Sequence, residues 1–425
     1  MKFSILLPTK NRLELLKYAV QSVLEQDYPN WEIVISDNAS DDDIAGFVAT
    51  LADSRIKYSR SEKPLPVTEN WNRALDFSSG DYIIMLGDDD CLMGRCLSIA
   101  KALLESHQRP DLLYTKTAQF AYPNVMPTFP RGFVEYGYSE FLGEKTEPFF
   151  LTRKSAIACV EKALSFQVVY GFNMQHSIFS REMVVRLARK GPFFQSPYPD
   201  YYATNVLMLT TERILVCPWP LIGIGISPKS FGFFYFNRRE GEGVNFLQLA
   251  GDPEMVSSLK PVILPGSNMN TSWLLAMETL KRNFPDEIPA DVRYDRYRFL
   301  QFGEMLRTAP SRGEFLKELK KFGTKGERVF WRCVSAMSAV GSWILPAKIW
   351  KLVLRGSLSL WHRSHPRFRA RNIGRVIFAD IVSLARGGSP TFGAQRRLVD
   401  YADILEMSRE ESRLRKIPEA WISRR

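Results

Sequence analysis

Three consecutive carboxylates, Asp88-Asp89-Asp90, follow an apolar run and are the side chains of this sequence best suited to chemistry. Three negative charges at the end of a buried strand repel one another and lose hydration, which is costly unless a cation accompanies them. Mg²⁺ or Mn²⁺ prefers one or two carboxylates together with phosphate oxygens. The triplet therefore indicates a divalent metal that holds a nucleoside diphosphate. The alternative is a solvated acidic turn that caps the next helix.

Two other polar groups also follow apolar runs. Asp37 comes directly after residues 31–36 and is placed to accept a hydrogen bond from a base or a ribose. We assign the acids at 41–43 to the start of a helix instead, because acids in a first turn complement the helix dipole. Arg12, with Lys10, follows the first apolar run and suits a phosphate, with an exposed basic turn as the alternative.

The elements that must position these groups alternate between strand and helix. Apolar runs predict strands at 3–8, 31–36, 56–59 and 82–86. Helical spacing of apolar residues predicts helices at 13–26, 44–51, 68–77 and 97–107. This alternation implies a parallel sheet with helices on both faces. Because ligands bind beyond the carboxyl ends of such strands, the polar groups that follow the strands should converge on one crevice.

Composition sets the broad class. The 425 residues are 45% hydrophobic and 24% charged, as in globular proteins. Five cysteines are too few and too scattered for a disulfide framework, and they suggest a reducing compartment. We expect no export signal, since a proline and charged residues interrupt the first apolar run.

Several enzyme classes lack their signatures. The glycines at 223–230 have only a partial spacing, which supports neither a dinucleotide fold nor a P-loop. The four histidines form no HExxH or other zinc pattern, and no GxSxG motif of a hydrolase occurs. Oxidoreductase, P-loop, zinc and hydrolase functions are therefore not supported.

The N-terminal hundred residues resemble the inverting glycosyltransferases of family 2. Four segments carry the likeness: the opening strand and turn at 3–12, the strand and aspartate at 31–40, the helix segment at 70–75, and the strand with its acidic turn at 80–90. The resemblance implies a GT-A fold. This is an α/β nucleotide-sugar-binding fold whose mixed, mostly parallel sheet is flanked by helices, here with a mainly helical C-terminal region.

The resemblance also implies roles for individual residues. The family's turn commonly reads Leu-Asp-x-Asp-Asp, and here Gly87 stands in the place of the first aspartate, so we favour Asp89 and Asp90 as ligands of Mg²⁺ or Mn²⁺. The expected nucleotide-sugar-binding residues are Pro8, Thr9, Arg12, Asp37, Asn70, Asp88, Asp89, Lys229 and Ser230.

Inverting transfer needs a carboxylate that takes the proton from the attacking hydroxyl. By the resemblance, this base follows the acceptor-side region, where Asp200 in the segment 198–205 is the best match. The alternative for Asp200 is an N-cap after Pro199. Lys229 and Ser230 are candidates to clamp the pyrophosphate, or else form a polar loop.

Charge is unevenly distributed. Net charge is +11, yet residues 1–100 hold 10 Lys/Arg against 16 Asp/Glu. Residues 301–425 hold 25 against 11, and the segment 328–379 has basic and aromatic residues but no acid. Such a segment suits an anionic membrane surface. Nucleic acid ranks lower, because no recognised nucleic-acid module accompanies the charge. The alternative is a helical appendage that packs its aromatic residues on the catalytic domain.

We therefore expect a GT-A domain at 1–240, with a nucleotide-sugar half at 1–100 and an acceptor half at 101–240. A helical extension at 241–325 and a basic helical region at 326–425 should follow. The expected function is metal-dependent transfer of a sugar, commonly UDP-linked, to a glycan or lipid-linked acceptor in surface polysaccharide synthesis. The expected location is cytoplasmic, on the inner face of the cell membrane. A non-catalytic nucleotide-sugar-binding protein and a nucleotidyltransferase are the rival functions.

Overall fold

A computed structural model describes residues 1–344 of the chain, apart from 123, 126–131, 138, 238 and 248–252. The described residues form two compact units. The first consists of residues 1–262 and 271–294, and the second of residues 263–270 and 295–344. The domain boundaries expected at 240 and 325 stay predictions.

Strands of the first unit form one mixed sheet. Within the described residues its strands are β1 (Phe3–Thr9), β2 (Trp31–Asp37), β3 (Ile56–Arg60), β4 (Tyr82–Met85), β5 (Cys91–Leu92), β6 (Leu112–Ala121), β7 (Phe133–Tyr136), β8 (Phe149–Leu151), β9 (Ser177–Ser180) and β10 (Ile214–Ile226). Their order is β3-β2-β1-β4-β9-β6-β10-β5, with β7 on β6 and β8 on β10. Parallel pairings run for four to ten residue pairs, and antiparallel ones for two to four. The expected mixed, mostly parallel sheet is confirmed.

Helices cover the sheet and extend the chain. They are α1 (Leu13–Leu24), α2 (Ile44–Leu51), α3 (Val67–Asp76), α4 (Cys96–Ser106), α5 (Arg153–Leu164), α6 (Arg181–Leu187), α7 (Pro199–Thr210), α8 (Phe231–Phe236), α9 (Glu240–Leu247), α10 (Pro253–Leu259), α11 (Asn268–Asn283), α12 (Tyr294–Thr308), α13 (Arg312–Phe322) and α14 (Lys325–Ile344). Short 3₁₀ turns lie at Met174–His176 and Ala188–Lys190. The alternation of strand and helix expected over the first hundred residues is confirmed.

Strand register aligns the ends that carry polar groups. Thr9, the last residue of β1, lies opposite Asp37, the last residue of β2. On the other side, β1 pairs in parallel with β4, and Leu6 lies opposite Met85. The carboxyl ends of β1, β2 and β4 therefore meet at one edge of the sheet, as the alternation predicted.

One short strand, β9, completes the middle of the sheet between β4 and β6. β9 runs antiparallel to both neighbours, with Tyr82 of β4 opposite Ser180 and Leu112 of β6 opposite Phe179. Ser180 then caps α6, because its hydroxyl accepts a hydrogen bond from the Met183 N–H at 3.0 Å.

The second unit gathers α12, α13 and α14 around one tryptophan. Trp331 is only 2% exposed, and its ring lies 5.1 Å from that of Phe299 between centroids, with Phe302 and Phe315 also in contact. This tryptophan of the basic segment therefore packs inside the second unit, whereas the appendage alternative expected such aromatic residues to pack on the catalytic domain. The rest of the basic region, from 345 onward, lies outside the described residues.

No helix in the part of the chain that the structure describes is both long and apolar enough to cross a membrane.

Candidate active site

The acidic turn at the end of β4 is buried and closely bonded. Asp88 is 2% exposed and accepts hydrogen bonds from the Thr9 hydroxyl and the Arg12 guanidinium, both at 2.7 Å. Burial raises the pKa of the Asp88 carboxyl, while the charge of Arg12 opposes that rise. The first strand end and the acidic turn are thus in direct contact, and Arg12 is the turn's cationic partner.

Asp89 faces the loop that follows β10. Its Oδ2 accepts hydrogen bonds from the Ser227 hydroxyl at 2.7 Å and from the Ser230 hydroxyl. Its Oδ1 lies 3.8 Å from Nη1 of Arg12. Ser230, predicted from the sequence, therefore joins the acidic turn directly.

Asp90 links the acidic turn to β10 and to Gln175 through hydrogen bonds. Its Oδ1 accepts a hydrogen bond from the Gly225 N–H at 2.8 Å, and its Oδ2 accepts from the Gly87 N–H at 2.8 Å and from Nε2 of Gln175 at 2.7 Å. A side chain at position 225 is excluded, because its Cβ would lie 1.9 Å from the Asp89 carbonyl oxygen. The partial glycine pattern therefore lets β10 approach the acidic turn.

A reciprocal pair of contacts joins the loops after β1 and β10. The Arg12 guanidinium donates to the Lys229 carbonyl, and the Lys229 ammonium donates to the Asn11 carbonyl. The two cations predicted to meet phosphate therefore lie side by side at the edge of the acidic turn.

Asp37 and Asn70 lie at the end of β2. Asp37 is 1% exposed, and its carboxylate accepts hydrogen bonds from the Tyr58 hydroxyl at 2.8 Å and the Ser40 N–H at 2.9 Å. Asn70 exchanges hydrogen bonds with Ser36, accepting from its hydroxyl at 2.8 Å and donating to its carbonyl at 3.1 Å. These bonds support a positioning role for Asn70 at the strand end. Pro8, half-buried, pairs with Ser36 in the same register.

Asp200 lies in the first turn of α7, and Pro199 begins that helix. The Asp200 carboxylate accepts a hydrogen bond from the Met174 N–H at 3.1 Å. Among the described residues, it makes no hydrogen bond to its own helix. Burial raises the pKa of Asp200 to about 7, although the bond from Met174 lowers it. A carboxylate with a pKa near neutrality suits a general base. The N-cap position belongs to Tyr198, so the N-cap alternative for Asp200 is not what the structure shows.

A single turn links Asp200 to the acidic turn. Met174 bonds to Asp200, and the next residue, Gln175, bonds to Asp90. On the other side, the ring of Tyr198 lies 4.7 Å from that of Phe231, which follows Ser230. The candidate base and the candidate donor site are therefore held by the same short segments.

A divalent metal fits the turn with ligand oxygens from a substrate. Among the described residues, no three His, Cys, Asp or Glu side chains are grouped so as to hold a metal by themselves. A carboxylate offers about four lone-pair sites. Asp90 already accepts three hydrogen bonds from the protein, whereas Oδ1 of Asp89 makes, among the described residues, only the longer contact with Arg12. Within the expected ligand pair, the contacts favour Asp89.

Sequence reasoning missed Gln175, Gly225 and Ser227. Each lies more than 80 residues from the carboxylate it contacts, and none stands in a recognised motif. The signal that could have pointed to two of them is the short Gly-x-Gly-x-Ser pattern at 223–227, which directly precedes the predicted Lys229 and Ser230.

Comparison with known proteins gives consistent matches. The model of the family described as Glycosyl transferase family 2 matches residues 4–160. A Campylobacter jejuni protein named GalNAc(5)-diNAcBac-PP-undecaprenol beta-1,3-glucosyltransferase is 41% identical over 101 residues, which are 23% of this chain and 32% of that protein. The putative colanic acid biosynthesis glycosyl transferase WcaA of Escherichia coli is 31% identical over 244 residues, 56% of this chain and 80% of WcaA.

The matched share differs among relatives. The chain spans about a third of the Campylobacter protein and 40% of the Escherichia coli glucosyltransferase WfgD, to which it is 32% identical over 101 residues, 24% of this chain. Among solved structures, residues 1–349 of TarS from S. aureus match with a TM-score of 0.44 and 16% identity, over 78% of this chain and 91% of that one.

Proposed function

This chain belongs to glycosyl transferase family 2, and on that premise we propose that it moves a sugar from a UDP-linked donor to a hydroxyl of a glycan or lipid-linked acceptor with inversion. One observation carries the proposal. The turn Met174–His176 bonds on one side to Asp90 of the acidic turn and on the other to the buried carboxylate Asp200. The proposed donor site and the proposed base are therefore bonded to the same short turn, which supports the proposal.

The donor is bound along the carboxyl ends of β1, β2 and β4. Asp37, Thr9 and Pro8 line the nucleoside side, where a buried carboxylate accepts hydrogen bonds from a base or a ribose. Arg12 and Lys229 lie beside the acidic turn, and their cationic groups suit the diphosphate. The binding of an anion there exchanges contacts within the protein for contacts with phosphate oxygens.

Asp89, with Asp90, would hold Mg²⁺ or Mn²⁺ together with diphosphate oxygens. A bound divalent cation stabilises the negative charge that develops on the departing nucleoside diphosphate. Ser227 and Ser230 orient the Asp89 carboxylate through their hydroxyls, and Asp90 fixes the backbone of the turn through Gly87 and Gly225.

Asp200 takes the proton in the transfer step. The acceptor oxygen forms a bond to the anomeric carbon of the donor, the bond from that carbon to the phosphate oxygen breaks, and its electrons leave with the nucleoside diphosphate. The proton of the acceptor hydroxyl goes to the Asp200 carboxylate. A single displacement of this kind inverts the anomeric centre.

The acceptor and its setting rest on the relatives. The Campylobacter protein and WfgD are named for undecaprenol-linked acceptors, and WcaA for colanic acid biosynthesis. We propose the same class of reaction for this chain, the building of a surface polysaccharide on a lipid-linked glycan.

A peripheral contact with the inner face of the cell membrane accompanies this acceptor. The outward face of α14 begins with Lys325, Arg328, Val329 and Arg332, at helical spacing, and Val329 is 67% exposed. Basic residues around an exposed apolar side chain suit anionic lipid headgroups. The partner proposed for this face is an anionic bilayer.

Titration of the purified full chain with UDP-, GDP-, dTDP- and CMP-sugars, with and without Mn²⁺, tests the donor site. We expect one nucleotide sugar to bind in a metal-dependent manner and to be hydrolysed slowly. Asp89→Ala should remove that binding, whereas Asp286→Ala, a change of an exposed carboxylate after α11, should leave it unchanged.

Other outcomes select the rival functions. Binding without hydrolysis or transfer to any acceptor would indicate a non-catalytic nucleotide-sugar-binding protein. Turnover of a nucleoside triphosphate with release of pyrophosphate would indicate a nucleotidyltransferase. An absence of binding to every nucleotide sugar would contradict the proposed donor site.

A further inference from the structure

The turn Met174–His176 is buried, and its histidine contacts β6. Met174, Gln175 and His176 are 0%, 7% and 1% exposed. The His176 ring stacks on Tyr114 at 5.2 Å between centroids, and its Nδ1 lies 2.9 Å from the Thr115 carbonyl oxygen. Gln175 therefore lies in a buried, well-packed turn, and its side chain points in one direction.

That direction is toward the acidic turn. Nε2 of Gln175 donates to Asp90 at 2.7 Å, while the preceding Met174 N–H donates to Asp200 at 3.1 Å. Gln175 thus bonds to the acidic turn, and the residue before it bonds to the candidate base. The second N–H of its amide and the carbonyl oxygen remain, and the carbonyl oxygen is the acceptor that the side chain offers.

The carbonyl oxygen Oε1 of Gln175 is buried and has no hydrogen-bond partner among the residues that the structure describes. A buried acceptor without a partner is unfavourable, and most such groups in proteins are satisfied. Because Nε2 is held by Asp90, the amide cannot turn Oε1 elsewhere without losing that bond. The site therefore contains a fixed hydrogen-bond acceptor, Oε1 of Gln175, that has no donor among the described residues.

We propose that Oε1 of Gln175 accepts a hydrogen bond from a hydroxyl of the donor sugar, which makes Gln175 a specificity-determining residue. The inference rests on the proposed function. With the diphosphate at the acidic turn and the acceptor hydroxyl at Asp200, the sugar ring must occupy the gap between them, where Gln175 lies. A diphosphate has no hydrogen to donate, whereas a sugar hydroxyl has one.

This arrangement predicts discrimination between sugars. A site built to bond a hydroxyl rejects an analogue that lacks it, because the buried protein group is then left without a partner. We expect one deoxy analogue of the cognate donor to lose about 10- to 100-fold in kcat/KM with the wild-type chain.

A cycle of protein and substrate changes tests the bond. The full chain and Gln175→Met are assayed with the cognate donor and with its 2-, 3-, 4- and 6-deoxy analogues, and UDP alone is titrated into both. In Gln175→Met, the cognate donor and the critical analogue should differ by less than about threefold, with UDP affinity within about threefold of wild type. Gln21→Met, on the outer face of α1, is the matched control and should behave as wild type.

Three results would overturn the inference. The first is an equal loss by Gln175→Met with the cognate donor and every analogue, which is the pattern of a purely structural residue. The second is a wild-type chain that does not discriminate between the deoxy donors. The third is a wild-type chain without turnover of any nucleotide sugar, which removes the proposed function as well. If Gln175→Met fails to fold in a thermal melt, Gln175→Asn withdraws the oxygen by one methylene, and retention of full discrimination by that variant counts against the bond.

Discussion

At the scale of single residues, Asp200 must be ionised to act as a base although its surroundings favour the neutral acid. Burial raises its pKa to about 7. We expect kcat/KM to rise about tenfold per pH unit below pH 7 and to level off above it, because only the carboxylate accepts the proton. A pH–rate profile at saturating metal checks this, and a flat profile between pH 5 and 8 would rule out Asp200 as the base.

The same burial predicts an effect on stability. A carboxyl whose pKa is raised in the folded state loses stability as the pH rises from about 3.8 through 7, because the unfolded chain ionises more easily. Asp200→Asn should therefore raise the thermal midpoint by a few degrees at pH 8 and leave it unchanged near pH 4. The variant should also lose at least about 100-fold in transfer while donor affinity stays within twofold. A lower midpoint at pH 8 would contradict the raised pKa.

Arg12 and Asp88 form a buried ion pair whose two halves depend on each other. Arg12→Gln leaves Asp88 buried without its cation and should cost about 3 kcal/mol of unfolding free energy. The double variant Arg12→Gln/Asp88→Asn removes both charges and should recover more than half of that loss. Chemical denaturation of the wild type, both single variants and the double variant gives the coupling, and strictly additive losses would refute the pairing.

At the scale of elements, the amino ends of β1 and β2 are joined by one buried carboxylate, Glu32. It is 1% exposed and accepts bonds from Lys2 at 2.6 Å, Ser4 at 2.7 Å and Lys57 at 2.9 Å. Burial alone would raise the pKa of Glu32, but the bonds from Lys2, Ser4 and Lys57 lower it to about 2.

Glu32→Gln should therefore destabilise the chain by about 3 kcal/mol at pH 7. Since the pKa is lowered in the folded state, the stabilisation is present above about pH 4.5 and fades as the pH falls toward 2. Thermal unfolding at pH 7 and pH 3 measures the difference. Glu62→Gln, at an exposed carboxylate, is the control, and an equal effect of the two variants would refute the role of Glu32.

The elements of the first hundred residues could be predicted because their signals are local. Apolar runs and helical spacing placed β1 to β4 and α1 to α4 within a residue or two of their bounds, but the two-residue strand β5 was not predicted. Beyond the first hundred residues the signal is weaker, because β6 includes Lys116 and Thr117 in a strand that pairs along its length with β10. Because polar residues interrupt the apolar pattern, sequence periodicity alone does not predict the full length of such a strand.

Part of the candidate site was predictable because its residues follow strands, and Asn70 and Asp200 were predicted through the family resemblance. Thr9, Asp37 and the acidic turn are named by their position after apolar runs, whereas Gln175 reaches Asp90 across 85 positions of sequence. β9 joins the sheet between β4 and β6, and neither neighbour is adjacent to it in the chain. Pairing at such separation depends on the packed sheet, so no local pattern indicates it.

At the scale of the whole molecule, the uneven charge predicts a membrane contact at the basic end. Lys325→Gln/Arg328→Gln/Arg332→Gln should reduce co-sedimentation of the full chain with phosphatidylglycerol vesicles at least tenfold, since each cation near an anionic surface contributes about 1 kcal/mol. Lys63→Gln/Lys154→Gln/Lys260→Gln changes the net charge equally at exposed sites elsewhere and should have little effect. Equal losses by both triple variants, or equal binding to phosphatidylcholine vesicles, would refute a specific face.

The position of β9 between β4 and β6 also determines when the edge of β4 can be paired during synthesis on the ribosome. β4 ends at Met85, yet the strand that covers its outer edge ends at Ser180, so 95 more residues must be made before that edge is paired. At about 5 to 20 residues per second, the delay is roughly 5 to 20 seconds. During that interval the first hundred residues carry an open, apolar strand edge beside three aspartates that still lack Gln175 and β10. The candidate site is thus completed only after β10 has been made, although its carboxylates leave the ribosome much earlier.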